Sequence, residues 1–110
     1  MELEIKEVKL EIYTPEEFVG AIRDGLARLG AGRVGEYSHV ASWQSTAGSW
    51  MPLENSRPYS GEKGQLCTGR EVKLEMCCPV GLVKEALGVI RAIHPYEEPV
   101  VHVIPLLSGS

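Results

Sequence analysis

Residues 8–19 read VKLEIYTPEEFV, and residues 72–83 read VKLEMCCPVGLV. At an offset of 64, Val, Lys, Leu, Glu, Pro and Val recur in step, Ile12 matches Met76 and Phe18 matches Leu82. A chain of 110 residues is too short for two independent cores, each of which would be marginal at half this length. Two like halves must therefore fold against each other around one core.

Within each copy the hydrophobic period changes from two to 3.6. Val8, Leu10 and Ile12 alternate with Lys9, Glu11 and Tyr13, which predicts a half-buried strand. Thr14-Pro15-Glu16-Glu17 reads as a helix start, with Thr14 as N-cap, Pro15 in the first turn and Glu17 closing a capping box. Phe18, Ile22, Leu26 and Leu29 fall on one stripe, and Gly30 or Gly32 can end the helix in a left-handed conformation. In the second copy Val72, Leu74 and Met76 share a face, and Pro79 opens a helix. Leu82 or Val83, Ala86, Ile90 and Ile93 make its stripe, and Pro95 stops it by pushing the preceding residue out of the α region. Strand-like sequence follows each helix: RVGEYSHVASWQ, a turn-like STAG and SWMPL after the first, PVVHVIPLL after the second.

Two right-handed split β-α-β units in this order predict an α+β, ferredoxin-like βαββαβ sandwich, a four-stranded antiparallel sheet with two helices on one face. Residues 1–110 form one domain: a first half over 8–53 that includes a hairpin strand, a loop over 54–69, a second half over 70–106 and a tail over 107–110. Leu3 and Ile5 are out of phase with Val8 and predict a bulge or an edge extension. Helices on one face leave the other face of the sheet to solvent or to another subunit. That face is expected to carry Tyr13, Cys77 and one side of a hairpin in which a STAG turn sets Trp43 opposite Trp50. Large aromatics there, together with open sheet edges, predict a homo-oligomer, dimer or trimer, with Tyr13, Trp43, Trp50 and Cys77 at the interface.

Charge and composition narrow the partners. A net charge of −4 does not suit a nucleic-acid surface, which needs a basic patch. No apolar run is long enough to span a membrane, and the first ten residues lack a signal-peptide core. Three cysteines, two of them adjacent, do not read as a disulfide framework, so a reduced, cytoplasmic protein is expected.

Function should lie in what is not repeated. IHPYEEP, residues 93–99, places His94 at the carboxyl end of a helix, Tyr96 with a free hydroxyl, and Glu97-Glu98 between two stiffening prolines. It reads either as a ligand or divalent-cation contact or as a rigid connector. His39, Cys67, Cys77, Cys78, His94 and His102 could ligate a metal, but no pair has zinc-site spacing, and Cys77 and Cys78 leave opposite faces of a strand. His94, Glu97 and His39 are the metal candidates. The run GAGRVGEY, residues 30–37, could hold an anion through Arg33 with Tyr37 beside it, or could simply end a helix and start a strand. In NSRPYSGEKGQ, residues 55–65, Arg57, Tyr59 and Lys63 could touch a small anionic ligand, with a solvated loop as the alternative. No Ser-His-Asp order, Walker loop or zincin helix appears.

The unrepeated stretches, GAGRVGEYSHVASWQSTAGSWMPLENSRPYSGEKG and AIHPYEEPVVHVIPL, resemble the domain inserted in the Nif-three-like (Ngg-interacting-factor-like) proteins, and more closely their stand-alone, YqfO-like members. The resemblance runs from Val8 to Leu106. His94-Pro95-Tyr96-Glu97 is also similar to a motif of the cation-tolerance protein CutA. Val101-His102 departs from the Tyr and acid usual there, and Cys67 from a common Glu. The resemblance implies a CutA/PII-like domain that self-associates. The dinuclear metal ligands of the long proteins lie in flanking halves that this sequence does not contain, so their hydrolase activity does not transfer.

Together these readings lead to a non-catalytic, oligomeric, regulatory domain that binds a small-molecule effector or a partner protein at subunit clefts. Its ligand candidates are His94, Tyr96, Glu97, Glu98, Arg33, Tyr37, Arg57 and Tyr59. The alternatives are a copper- or zinc-binding protein of the CutA kind and, behind it, a hydrolase. No cofactor beyond a divalent metal ion is suggested.

Overall fold

The computed structural model describes residues 4–107. Four strands and two helices follow in the order β1 (Glu7–Thr14), α1 (Val19–Leu29), β2 (Ser42–Trp50), β3 (Cys67–Pro79), α2 (Val83–Ile93) and β4 (Val101–Leu106). The strands form one antiparallel sheet in the order β2-β3-β1-β4, the arrangement that two interlocked split β-α-β units produce. This is the ferredoxin-like α+β fold.

The repeat is visible in the fold. Both helices begin and end 64 residues apart, and each is led in by a short 3-10 turn, Glu16–Phe18 or Val80–Leu82. β1 and β3, the two copies of the strand, lie side by side at the centre of the sheet, with Glu11 facing Glu75. Lys9 faces Cys77 just as its counterpart Lys73 faces Tyr13, so a pseudo-twofold axis passes through the Glu11–Glu75 pair. In the repeated segments the even-numbered residues are buried: Leu10, Ile12 and Leu74 completely, Val8, Val72 and Met76 nearly so. They meet Ile22 and Leu26 of α1 and Ala86 and Ile90 of α2 in a single core. Each buried aliphatic side chain of this kind contributes about 1.5–3 kcal/mol.

Odd-numbered residues make the open face, and they carry charge. Lys9 Nζ lies 3.0 Å from Glu11 and 3.4 Å from Glu75, while Lys73 Nζ lies 3.4 Å from Glu75 and 3.9 Å from Glu11. Two carboxylates directly opposite each other would repel, and the repeated Lys-x-Glu supplies two ammonium groups on the diagonals. Tyr13 and Cys77 are on this face, as expected, and His102 of β4 touches Tyr13 edge-on with ring centroids 6.0 Å apart.

The helices cross at Gly25 and Val89, which are themselves 64 residues apart. A Cβ on Gly25 would sit 2.9 Å from Val89 Cγ1 and 3.0 Å from Ile93 Cδ1. Where a pseudo-twofold axis runs through a helix crossing, both copies cannot be large. The exits differ: Gly30 ends α1 at φ 118°, whereas His94 ends α2 at φ −66°, ψ 136°.

Several expectations are corrected. STAG is not a turn. Residues 42–50 form one uninterrupted strand, and Gly48 has no positive φ; pairing with β3 along its full length outweighs the local turn preference. Trp43 pairs with Leu74 and Trp50 with Cys67, so the two indoles leave opposite faces of the sheet instead of facing each other. SWMPL is accordingly not a separate strand, and the β2–β3 connection covers 51–66 rather than 54–69. No capping box forms: Pro15 occupies the cap position and makes no side-chain cap bond, while the buried Thr14 hydroxyl donates to the Pro15 carbonyl at 3.1 Å. RVGEY does not begin a strand, since Val34 and Tyr37 bridge each other in a tight turn. Ile5 is exposed and precedes β1; Leu3 and the tail over 108–110 lie outside the described residues. No helix among the described residues is long and apolar enough to cross a membrane.

Candidate functional site

β1 ends at Thr14 opposite Val72, but β2 and β3 continue as a two-stranded arm in which Thr46–Trp50 pairs with Cys67–Glu71. The connection 51–66 folds back along the arm. Trp50 Nε1–H donates to the Ser60 carbonyl at 3.0 Å, the Gly64 N–H to the Pro52 carbonyl at 2.7 Å, and Ser56 Oγ–H to the Leu53 carbonyl at 2.7 Å. Gly61 and Gly64 make the turns with positive φ, and a Cβ on Gly61 would lie 2.6 Å from Cys67 Sγ.

The α2–β4 connection meets this arm across the end of β1, and His94 fixes its course. The Tyr96 N–H donates to His94 Nδ1 at 3.1 Å, so the ring carries its proton on Nε2, which donates to the Tyr13 carbonyl at 2.6 Å. Both nitrogens are used and the ring is buried. Tyr96 then reaches the arm. Its hydroxyl donates to Glu71 Oε2 at 2.9 Å, and its ring lies 5.6 Å from that of Tyr59, centroid to centroid. Burial first, and the adjacent Glu71 carboxylate second, push the Tyr96 hydroxyl far above its ordinary range, so it stays protonated. The Glu97 carboxylate accepts the Arg57 N–H at 2.8 Å and closes the loop onto the connection.

Between these parts lies a cleft of about 720 Å³, within the range of small-molecule sites. Trp50, Met51, Tyr59 and Tyr96 supply apolar and aromatic wall, with Glu17, Arg70, Glu71, Glu97 and Glu98 at its polar positions. Of the sequence candidates, Tyr96, Glu97, Glu98 and Tyr59 line it directly. Arg57 contributes through its backbone, and His94 positions Tyr96 from behind. Trp50, expected at a subunit interface, lines the cleft as well.

Arg33 and Tyr37 lie elsewhere. Arg33 Nε–H donates to the Gly35 carbonyl within its own turn, and Tyr37 is highly exposed. His39, at φ 59°, is hydrogen-bonded to Ser38 Oγ at 2.9 Å and lies 3.9 Å from Asp24, apart from His94 and Glu97. Among the described residues no three His, Cys, Asp or Glu side chains converge as a metal-holding group. All three cysteines are free, and burial raises the Cys77 and Cys78 thiols above their ordinary range. Glu71, Arg70 and Glu17 were not anticipated from sequence. Glu71 begins the polar face of the repeated strand, a detectable signal, but only the long-range approach of Tyr96 gives it a role.

No family model matches the chain. The GTP cyclohydrolase 1 type 2 homolog of Bacillus subtilis (strain 168) is 38% identical over 98 residues, which cover 89% of this chain and 26% of that protein. The crystal structure of a Bacillus cereus protein related to NIF3 superposes with a TM-score of 0.79 at 29% identity, over 93% of this chain and 26% of that one. Nearly the whole of this chain is thus similar to one segment of Nif-three-like proteins. It spans about a quarter of the length of these Nif-three-like relatives. The divalent cation tolerance protein CutA from Archaeoglobus fulgidus shares the fold, with a TM-score of 0.71 at 15% identity over 94% of this chain and 87% of its own.

Proposed function

We propose that this chain is a non-catalytic, self-associating domain that binds a small-molecule effector or a partner segment in the cleft at Tyr96 and acts through it as a regulatory module. The observation that carries this is the cleft itself: a concave, aromatic-walled space built by the two unrepeated segments. Binding there would tie the 51–66 connection to the α2–β4 connection, a pair that Arg57–Glu97 now links by a hydrogen bond, while Tyr96–Glu71 ties the α2–β4 connection to β3.

Self-association is supported by shape. The radius of gyration is 15.5 Å, against about 13 Å for a compact domain of this size, and the longest dimension is 49 Å. The excess is the arm and its connection, which leave Trp50, Met51, Leu53 and Leu66 exposed, while Trp43 is exposed on the same strand beside the core and β2 is an edge strand of the sheet. A sister subunit covering part of the arm would turn the cleft into one between subunits. A divalent-metal role is supported less, because metal on His94 would have to break one of the ring's two hydrogen bonds.

The test combines solution mass with thermal-shift screening of nucleotides, amines, amino acids and divalent metals. A multiple of 12.1 kDa that persists on dilution is expected, with ligand stabilisation abolished in Tyr96→Ala. A monomer whose melting temperature no compound moves would end the proposal.

A further inference from the structure

The charge around the cleft selects its ligand. We infer that the site takes a small organic cation, an amine or quaternary ammonium with an apolar body, held over the Trp50 and Tyr59 rings; this rests on the cleft being the binding site proposed above. The walls come first. Trp50 is 40% exposed and Tyr59 53% exposed, although each has a fixed partner: the Trp50 indole N–H is bonded to Ser60, and Tyr59 leans on Tyr96. Trp50 also lies against Gly69, where a Cβ would come within 3.2 Å of the indole ring. Two aromatic rings held in place with free faces on one cavity are the arrangement that attracts a cation through the ring quadrupole.

The charge then fixes the sign. Four carboxylates, Glu17, Glu71, Glu97 and Glu98, line the cleft against one guanidinium, Arg70. None of the four enters an ion pair among the described residues. Glu71 and Glu97 do accept hydrogen bonds, but from the Tyr96 hydroxyl and a backbone N–H, which are neutral and leave both negative charges uncompensated. An anion would meet this field with one cation to hold it. A neutral apolar molecule would gain the walls and nothing from the charges. An ammonium group on an apolar body uses both.

The experiment follows the two indole N–H resonances of the intact protein while titrating benzyltrimethylammonium, its neutral carbon isostere and benzoate. Trp50 and Trp43 are the only tryptophans, so each serves as the other's control. The ammonium compound is expected to shift the Trp50 signal saturably without moving that of Trp43, with the isostere and benzoate at least about tenfold weaker. Glu71→Gln keeps an acceptor for Tyr96 and should weaken the ammonium compound alone. Trp50→Phe keeps a ring should Trp50→Leu fail to fold, and should retain most of the binding. Equal binding of the isostere, or tighter binding of benzoate, overturns the inference and leaves the cleft standing as a site. No binding of any of the three overturns it too, and if Tyr96-dependent stabilisation is also missing from the wider screen, the cleft falls with it.

Discussion

Gly25 and His94 show how single positions are decided by their surroundings. A glycine inside a helix costs about 1 kcal/mol relative to alanine, so propensity alone favours Gly25→Ala. The helix crossing says otherwise, because the added Cβ would press on Val89 and Ile93 at about 3 Å. Gly25→Ala is expected to destabilise by about 1–2 kcal/mol in denaturant unfolding, and Val89→Ala in the same chain to recover part of the loss. At His94 the ring joins β1 to the α2–β4 connection, and removing it strands the Tyr13 carbonyl and the Tyr96 N–H. His94→Ala should therefore cost about 1–3 kcal/mol and loosen Tyr96, read as a shift of the Tyr96 amide resonance. Sequence suggested either a ligand or a rigid connector at His94. The connector is what its hydrogen bonds describe, and those partners are too distant along the chain to be read from spacing.

At the scale of elements, the central strands were the most legible part, because period-two alternation repeated at a fixed offset leaves little freedom. The helices followed from their stripes. β2 was misread: Ser45, Thr46 and Gly48 favour turns locally, and only β3 alongside makes them a strand. The same strand pair gives a pH prediction. Lys9 first, with Lys73 and His102 adding to it, holds the Glu11 carboxyl below its ordinary value of 4.5, and Glu11 in turn raises Lys9 above 10.5. A carboxyl depressed on folding stabilises fully above its unfolded pKa and loses that contribution as pH falls through the folded value. A raised lysine contributes below 10.5 and loses its contribution as pH rises past the raised value. Melting temperature should thus fall below about pH 4.5, and Lys9→Met should flatten that acid limb. Salt should weaken the effect, since the lysines of this cluster remain partly exposed.

For the whole molecule, the repeat specified the ferredoxin-like order and the helix-covered face, both set by burial. The arm and its cleft were only partly legible. Tyr96, Glu97, Glu98 and Tyr59 were found because the unrepeated segments attract attention, but their meeting with Trp50, Arg70 and Glu71 depends on where β1 stops, which no local signal marks. The edge strand β2 also carries the assembly prediction. Trp43→Glu places a charge on the exposed part of this strand, beside the core and away from the cleft wall. It should reduce the solution mass toward 12.1 kDa at micromolar protein while leaving the far-ultraviolet circular dichroism unchanged.

The two helix exits, a left-handed glycine in one half and an extended histidine in the other, have a practical consequence. Reporters at matched positions, one per half, would share the same scaffold and the same response to heat or denaturant. Any signal that separates them when a compound is added belongs to the half that has been specialised, so the molecule comes with its own reference channel.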